Sequence, residues 1–586
     1  MLAKIGYILT AREKRRLVLM FFMVAVGSAL ELLGVTIFMP FIEIITDQSK
    51  IHSNRYLRLL YERLGFHEAT GFLAALAGFI IFIYIVKNAY LIFEKNILYK
   101  FTYGIQQRIS VSLLSAYMKE PYTFHLNKNI AVLQRSLQED TDQFTKAINH
   151  VIELSIELLV CTVLGVYLFI VSKSITIIVL VILVVLVGGF TLLTKKITKA
   201  LGLQNQKLKA ELYQGMNQAL GGIKEVKVLG RGDFFIDRYR RTFDEFIRGQ
   251  RKTRLLGILP KYCVEATCMT GLLAAIIVKL YFGQKDLIAF IPQLAVFAVA
   301  AFRMMPSVGR INEYITYIVY ETSSVDLVYH DLRDIEQLDL DQSVRDESWK
   351  LKDRIAVRHV SYHYPDIEEC VIEDASFDLQ KGKTIAFVGS SGAGKTTMAD
   401  IILGLLVPQK GHIYADDLDV MKNLRTWQKE IGYIPQVIYL SDDTIRNNIA
   451  FGVPEEEIDE AKVQEAAEKA QLSSFIETLP DGFDSYVGDR GVRLSGGQRQ
   501  RIGIARAMYH DPEVLVLDEA TSALDNETEN AVMESIDRLR GQKTLLIIAH
   551  RLSTIRNADV IYEVSGGRVT ERTKEEVLGG VPGGEV

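Results

Sequence analysis

A chain of 586 residues is too long for one hydrophobic core and calls for two to four domains. Its 67 basic and 71 acidic residues leave a net charge of −4, so there is no basic footprint for a nucleic-acid partner. Hydrophobic residues make up 49% of the chain and mean hydropathy is +0.15, which leans toward a membrane protein. Apolar runs crowd the first 320 residues and the soluble chemistry lies beyond residue 353, so a membrane half fused to a soluble half is expected. The four cysteines form no framework: Cys161, Cys263 and Cys268 fall in apolar runs, Cys370 in the soluble half, and all read as small buried hydrophobes.

Arg12, Lys14, Arg15 and Arg16 precede an apolar run far longer than a signal core and without a small-residue cleavage site, so it is a retained span. Further spans are expected at residues 71–93, 150–171, 175–193, 256–282 and 287 to about 320, six in all. Lys195, Lys196 and Lys199 follow the fourth span and Arg251, Lys252 and Arg254 precede the fifth. The N-terminus, both long loops and the C-terminal half are therefore cytoplasmic. Ile105, Ile109, Leu113 and Tyr117 in one loop, and Met216, Leu220, Ile223 and Leu229 in the other, each predict one helical face on spans extended into the cytoplasm. Residues 55–66 set Tyr56, Leu57, Leu60, Tyr61 and Leu64 against Arg55, Arg58 and Arg63, the pattern of a short helix on the outer membrane surface or of a loop helix packed on the spans.

Lys87, Lys261, Arg303 and Arg310 fall within or at the edge of apolar segments, where a cation is costly unless it meets a partner or a wet cavity. Either Glu31, Glu153, Glu157, Glu265 and Glu313 neutralise them, or they line a cavity for an anionic substrate. Arg303 and Arg310, two turns apart, share a face of the sixth span. An acidic helix and linker, residues 321–350, separates the membrane domain, 1–320, from a soluble domain, 351–586.

The soluble half opens with a strand-like segment ending near Tyr364, placed to stack on a purine. A buried strand, Ile385 to Val388, then runs into Gly389, Ser390, Ser391, Gly392, Ala393, Gly394, Lys395 and Thr396, with Thr397 opening the helix that follows. The glycines permit a tight turn that aims backbone N–H groups inward, Lys395 brings a charge to the outer phosphates, and Thr396 can ligate Mg²⁺: this is a phosphate-binding loop. Gln436 ends another strand, and a mostly helical insert spans residues 443 to about 479. Leu494, Ser495, Gly496, Gly497 and Gln498 offer a hydroxyl and exposed N–H groups at a helix start, a second anion site. The buried strand Val514 to Leu517 delivers Asp518, suited to Mg²⁺ through water, and Glu519, suited to polarising the attacking water, to the carboxyl edge of a parallel sheet. A third buried strand ends on His550.

This ordered set, from Tyr364 through the glycine loop, Gln436, LSGGQ and Asp518–Glu519 to His550, with Ser522 to Asp525, resembles the nucleotide-binding domain of an ABC transporter. The resemblance implies that Tyr364 stacks on adenine, Gln436 senses the γ-phosphate and Mg²⁺, Glu519 is the general base and His550 contacts the γ-phosphate. Ser495 and Gly497 would contact the γ-phosphate bound in the opposite subunit, and Asp525 would close the loop between the two sites. Asp489 stands where many exporters have Glu. Six helical spans fused to one α/β P-loop ATPase domain resemble a half-size ABC exporter, which implies a homodimer in a bacterial inner membrane, with coupling through residues 122–127 and 229–235. ELLGVTIFMPF from Glu31, the outer helix, Lys87, LPKY around Lys261 and RMMPSVGR from Arg303 resemble the PglK-type lipid-linked oligosaccharide flippases. There the four cations would hold the pyrophosphate and the outer helix would engage the polyprenyl tail; Lys87 and Lys261 replace arginines and lose bidentate geometry. The alternatives are export of another lipid, a drug or a peptide, and a non-transporting ATP-gated regulator, against which Glu519 and His550 argue.

Overall fold

The computed structural model describes residues 1–36, 41, 44, 55–63, 65, 66, 68–171, 173–282, 287–336, 349–365, 367, 369–518, 526–549 and 556–579, with some side chains inside these ranges, Glu31, Cys268 and Arg303 among them, outside the description. Two compact units result. One comprises Met1–Glu120 and Asn127–Leu338, the other Pro121–Leu126 and Asp339–Val586. The break at Leu338/Asp339 falls inside the stretch 321–350 expected as helix and linker, and the last long helix runs on to Glu336.

In the first unit six long helices follow one another: Ala11–Thr36, Ala69–Lys119, Thr141–Val171, Lys173–Gly221, Gly232–Phe282 and Leu287–Glu336. Five of them continue well past, or begin well before, the predicted apolar runs. On the second helix Ile105, Ile109, Leu113 and Tyr117 are all buried, so the predicted face packs as a continuous seam. The second loop differs. Its helix stops at Gly221 and a separate short helix, Ile223–Val228, follows, so Leu220, Ile223 and Leu229 share no continuous face and lie exposed. Glycine permits the closest crossing: a Cβ on Gly202 would stand 2.2 Å from the Tyr320 carbonyl oxygen, so the fourth and sixth helices touch backbone to backbone there. The short helix Arg55–Arg63 does not stand alone, since Tyr61 and Phe66 meet Phe72 edge-on at ring distances of 5.3 and 5.6 Å.

In the second unit a four-stranded antiparallel sheet has the order β2-β1-β4-β5, built from β1 Arg354–Tyr362, β2 Ile372–Gln380, β4 Lys410–Ala415 and β5 Leu418–Asp419. A six-stranded sheet has the order β10-β9-β3-β8-β7-β6, with β3 Thr384–Val388, β6 Ile431–Ile434, β7 Val514–Asp518, β8 Thr544–Ile548, β9 Val560–Ser565 and β10 Arg568–Arg572. Its central strands β3, β8 and β7 pair in parallel and every residue in them is buried. Their near-continuous apolar sequence follows from having both faces covered. The insert is helical as expected, with helices Ile445–Ile449, Glu460–Lys469 and Ser473–Glu477. The cysteine reading is corrected: Cys263 and Cys370 are exposed and Cys161 half-buried, because the first lies on an outward face of the fifth long helix and the second in the β1–β2 turn.

Asp416 closes the turn after β4 in the left-handed region, φ 51°, and accepts N–H bonds from Lys352, Asp353 and Arg354 at 2.7–2.9 Å. Burial pushes its carboxyl up, but the three backbone bonds outweigh this and hold it below the usual range. Asp416→Ala is expected to lower the stability of this unit by about 1–2 kcal/mol, with Asn, which tolerates positive φ, losing less. A depressed folded-state pKa means the contribution is present above the ordinary carboxylate range and disappears as pH falls through the folded value, so the gap between wild type and variant should shrink below about pH 4. Both tryptophans, Trp349 and the fully buried Trp427, belong to this unit, so intrinsic fluorescence during urea unfolding reads the effect. A gap that widens on acidification would contradict the account.

Candidate functional site

The parallel register sets the nucleotide site. Phe387 of β3 lies opposite Ile548 of β8, Ile548 opposite Asp518 of β7, and Leu517 of β7 opposite Ile434 of β6. The chain therefore leaves four strands at one carboxyl edge, carrying the glycine loop, Asp518 and Gln436 there together.

After β3, Gly389 adopts φ 144°, and a Cβ would lie 2.2 Å from the Val564 carbonyl oxygen, so only glycine fits. Gly394, at φ 104°, starts the helix Lys395–Ile402. Lys395 is buried, and its ammonium donates to the carbonyls of Gly389 (2.7 Å) and Ser390 (3.0 Å), holding the loop curled around its own charge. Thr396, Ser390, Ser391 and Gly392 are exposed on the loop, Ala393 is half-buried, and Thr397 is buried. The Tyr364 hydroxyl lies 3.2 Å from Thr397 Oγ1, so the aromatic ring expected to take the purine sits beside the phosphate loop.

Thr396 Oγ1, the Asp518 carboxylate and the Gln436 amide oxygen are the hard-oxygen donors expected to hold Mg²⁺, and their chemistry suits that ion. Asp518 is buried at its strand end and Gln436 exposed just past β6. Glu519, Ser522 to Asp525 and His550 lie outside the described residues. One residue escaped the sequence reading. Asp400 stands one helical turn after Thr396, on the same face, and its carboxyl is pushed up to about 6 by burial and by the Asp518 charge. The spacing from Thr396 was the available signal. Tyr122, in the segment that belongs to this unit, has its phenol pushed up by burial and then by the Asp400 charge.

The run expected to form a second anion site opens the helix Gly496–Met508, four residues longer at its start than expected. Ser495 caps it: its hydroxyl oxygen accepts from Gln498 N at 3.3 Å, and Gln498 Oε1 accepts from Ser495 N at 2.8 Å. The cap uses an oxygen lone pair and leaves the O–H proton free to donate to a phosphate, with Gly496 and Gly497 N–H groups alongside.

In the membrane unit the cations separate into two kinds. Arg310 pairs with Glu157, whose side chain is 9% exposed, donating from Nε and, at 3.2 Å, from Nη2. Lys95, missed by the sequence reading, pairs with Glu153, one turn before Glu157 on the third long helix; its position just past a predicted span hid it. Lys87 and Lys261 have no carboxylate partner among the described residues. Lys87 is half-buried with its ammonium 4.7 Å from the Tyr84 ring centroid, and Lys261 is exposed, 5.7 Å from the Tyr262 centroid, with its stem packed on Gly309.

Residues 372–522 match the ABC transporter family model and residues 17–259 the ABC transporter transmembrane region. The chain is 32% identical to the heterocyst differentiation ATP-binding protein HepA of Nostoc sp., over 70% of this chain and 67% of that one. It is 30% identical to an ATP-dependent lipid A-core flippase of Pseudomonas savastanoi, over 82% and 79%, and 34% identical to one of Alkalilimnicola ehrlichii, over 63% and 62%. A solved bacterial Atm1-family ABC exporter with ATP bound shares the fold, with TM-score 0.73, 22% identity and 96% of each chain covered. With its helical membrane unit and α/β nucleotide-binding unit in one polypeptide, the chain belongs to the ABC transporters, as a half-size exporter carrying an ATPase domain.

Proposed function

We propose that two copies of this chain use ATP to flip a polyprenyl-pyrophosphate-linked oligosaccharide from the inner to the outer leaflet of a bacterial inner membrane. The observation that carries the reading is that Lys87 and Lys261 have no carboxylate partner among the described residues. A lysine in a span with no carboxylate partner is costly unless an anion visits it, whereas Arg310 and Lys95 are already balanced by glutamates. In this reading the substrate anion is a lipid phosphate group placed within the spans, with Lys87 and Lys261 as its first contacts, Arg303 as a further cation, and Arg310 joining them only when it releases Glu157. In the ATP sites Lys395, Thr396, Asp518 and Gln436 hold Mg²⁺-nucleotide, Glu519 serves as base, His550 supports the γ-phosphate, and Ser495 and Gly497 of the second copy cover it.

The relatives named lipid A-core flippases favour a lipid over a drug or peptide, and they make a lipid A-type glycolipid the second reading. Proteoliposomes carrying either labelled polyprenyl-pyrophosphate glycan or lipid A-core separate the two. ATP-dependent exposure of the first glycan alone is expected. Movement of lipid A-core alone would transfer the assignment to that class, and movement of neither, with ATP hydrolysis intact, would end the lipid reading.

A further inference from the structure

Between the segment Pro121–Leu126 and the third long helix the chain makes an unusual turn. The helix Ile130–Arg135, capped by Asn129 at 2.9 Å, passes into a five-residue π-helical turn, Ser136–Asp140. Such turns carry an extra residue per turn, cost regular hydrogen bonding and concentrate at working positions of helices. Here the two ends of the turn are pinned: Arg135 Nε donates to Asp140 Oδ2 at 3.0 Å, with both side chains at least nine-tenths buried.

The other carboxylate oxygen leaves the turn. Asp140 Oδ1 accepts from Gln206 Nε2 of the fourth long helix at 2.8 Å and from Ser324 Oγ of the sixth at 3.0 Å. Arg135 Nη1 donates to the Gln206 carbonyl at 3.4 Å, and Lys209 pairs with Glu139. Along the chain, two of the three elements adjoin segments that belong to the nucleotide-binding unit. The turn follows residues 121–126, the fourth helix runs on to the second cytoplasmic turn, and the sixth leads into the linker. A cavity of about 20 Å³, lined by Arg135, Asp140, Asn205, Lys209 and Tyr320, lies beside the joint and has room for one water.

A buried carboxylate with a full set of partners on three elements is an expensive way to hold helices together, since apolar side chains of the same volume would do so as well. What the polar joint adds is one defined arrangement of the three. We propose that Asp140 is a positioning residue for transport: it joins the first cytoplasmic turn to the fourth and sixth helices, so that movement imposed by nucleotide on any of the three is shared by the others. Asp140 belongs neither to the residues assigned to the nucleotide nor to the cations assigned to the lipid, and its hydrogen-bond partners are Arg135, Gln206 and Ser324. Its loss should therefore uncouple the membrane helices while ATP turnover continues.

The inference rests on the ATP-driven transport reading but not on the identity of the lipid, so the test needs no substrate. A spin label at Lys207→Cys, exposed on the fourth helix, is introduced after the native cysteines are replaced, and the distance between the two copies is measured in phosphatidylethanolamine–phosphatidylglycerol nanodiscs, nucleotide-free and with ATP–vanadate. The wild-type background should show a clear distance shift. Asp140→Ala should reduce it at least about threefold while KM for ATP and basal hydrolysis stay within about twofold. The double variant Arg135→Gln with Asp140→Asn, which rebuilds a neutral hydrogen-bonded pair, should recover much of the shift. An undiminished shift in Asp140→Ala overturns the proposal. So does a parallel fall in shift, hydrolysis and melting temperature without recovery in the double variant, which marks a merely structural residue. No shift in the wild-type background would fault the transport reading itself and take the inference with it.

Discussion

Lys395→Met should reduce ATP hydrolysis by roughly 100-fold or more, with nucleotide affinity falling as well. Two effects act together. Lys395 is the charge that would meet the β- and γ-phosphates, and its ammonium also gathers the Gly389 and Ser390 carbonyls at 2.7 and 3.0 Å. Methionine fills the buried space of the lysine stem but takes the ammonium donor from both carbonyls, leaving Ser390 only its bond from the Ala393 N–H, so the loop loses its charge and the bonds that gather it. Lys395→Arg keeps the charge in a site too tight for a guanidinium fork and should recover little. Phosphate release from the purified protein, with nucleotide binding followed separately, checks this. A variant retaining more than half of the wild-type rate would mean that the glycine loop is not the catalytic phosphate site.

Lys87→Ala and Lys261→Ala should leave basal hydrolysis near wild type while raising the lipid concentration needed for half-maximal stimulation by about 10–100-fold each. A charge-assisted bond to a phosphate is worth about 1.5–3 kcal/mol. Arginine at either position should improve on lysine, because a guanidinium grips a phosphate with two donors. Arg310→Ala should behave differently. It strips the partner from Glu157, which is 9% exposed, so lowered thermal stability and lowered stimulation should appear together, and Glu157→Gln in the same chain should return part of the stability. The measurement is ATPase activity in nanodiscs titrated with polyprenyl-pyrophosphate lipid. Equal stimulation curves for wild type and both alanine variants would remove Lys87 and Lys261 from the substrate path.

The two halves of the chain differ in how much of this could be read from residues. In the soluble half the chemistry is written in contiguous motifs. GSSGAGKTT, LSGGQ and the strand ending on Asp518 each carry their local geometry with them, because a strand, a tight glycine turn and a helix start are decided over a few residues. Asp400 was harder, since its altered acidity comes from burial in the folded unit and then from the charge of Asp518 on a different element. In the membrane half the four cations looked alike. Whether a lysine or arginine is neutralised depends on which helix lies opposite, and neither helix spacing nor hydropathy states that.

By itself, then, the order of residues determined the spans, the phosphate loop, the hydroxyl and N–H groups of the LSGGQ run and the parallel edge on which Asp518 stands, all properties of short-range periodicity and turn chemistry. Tertiary structure alone decided that Glu157 takes Arg310, that Glu153 takes Lys95, that Lys87 and Lys261 are left without a carboxylate among the described residues, and that Asp140 gathers Gln206 and Ser324. The reason is physical: a charge in a low-dielectric bundle is governed by the nearest opposite charge, and for Lys95 and Arg310 helix packing brings that charge from residues 58 and 153 positions away along the chain.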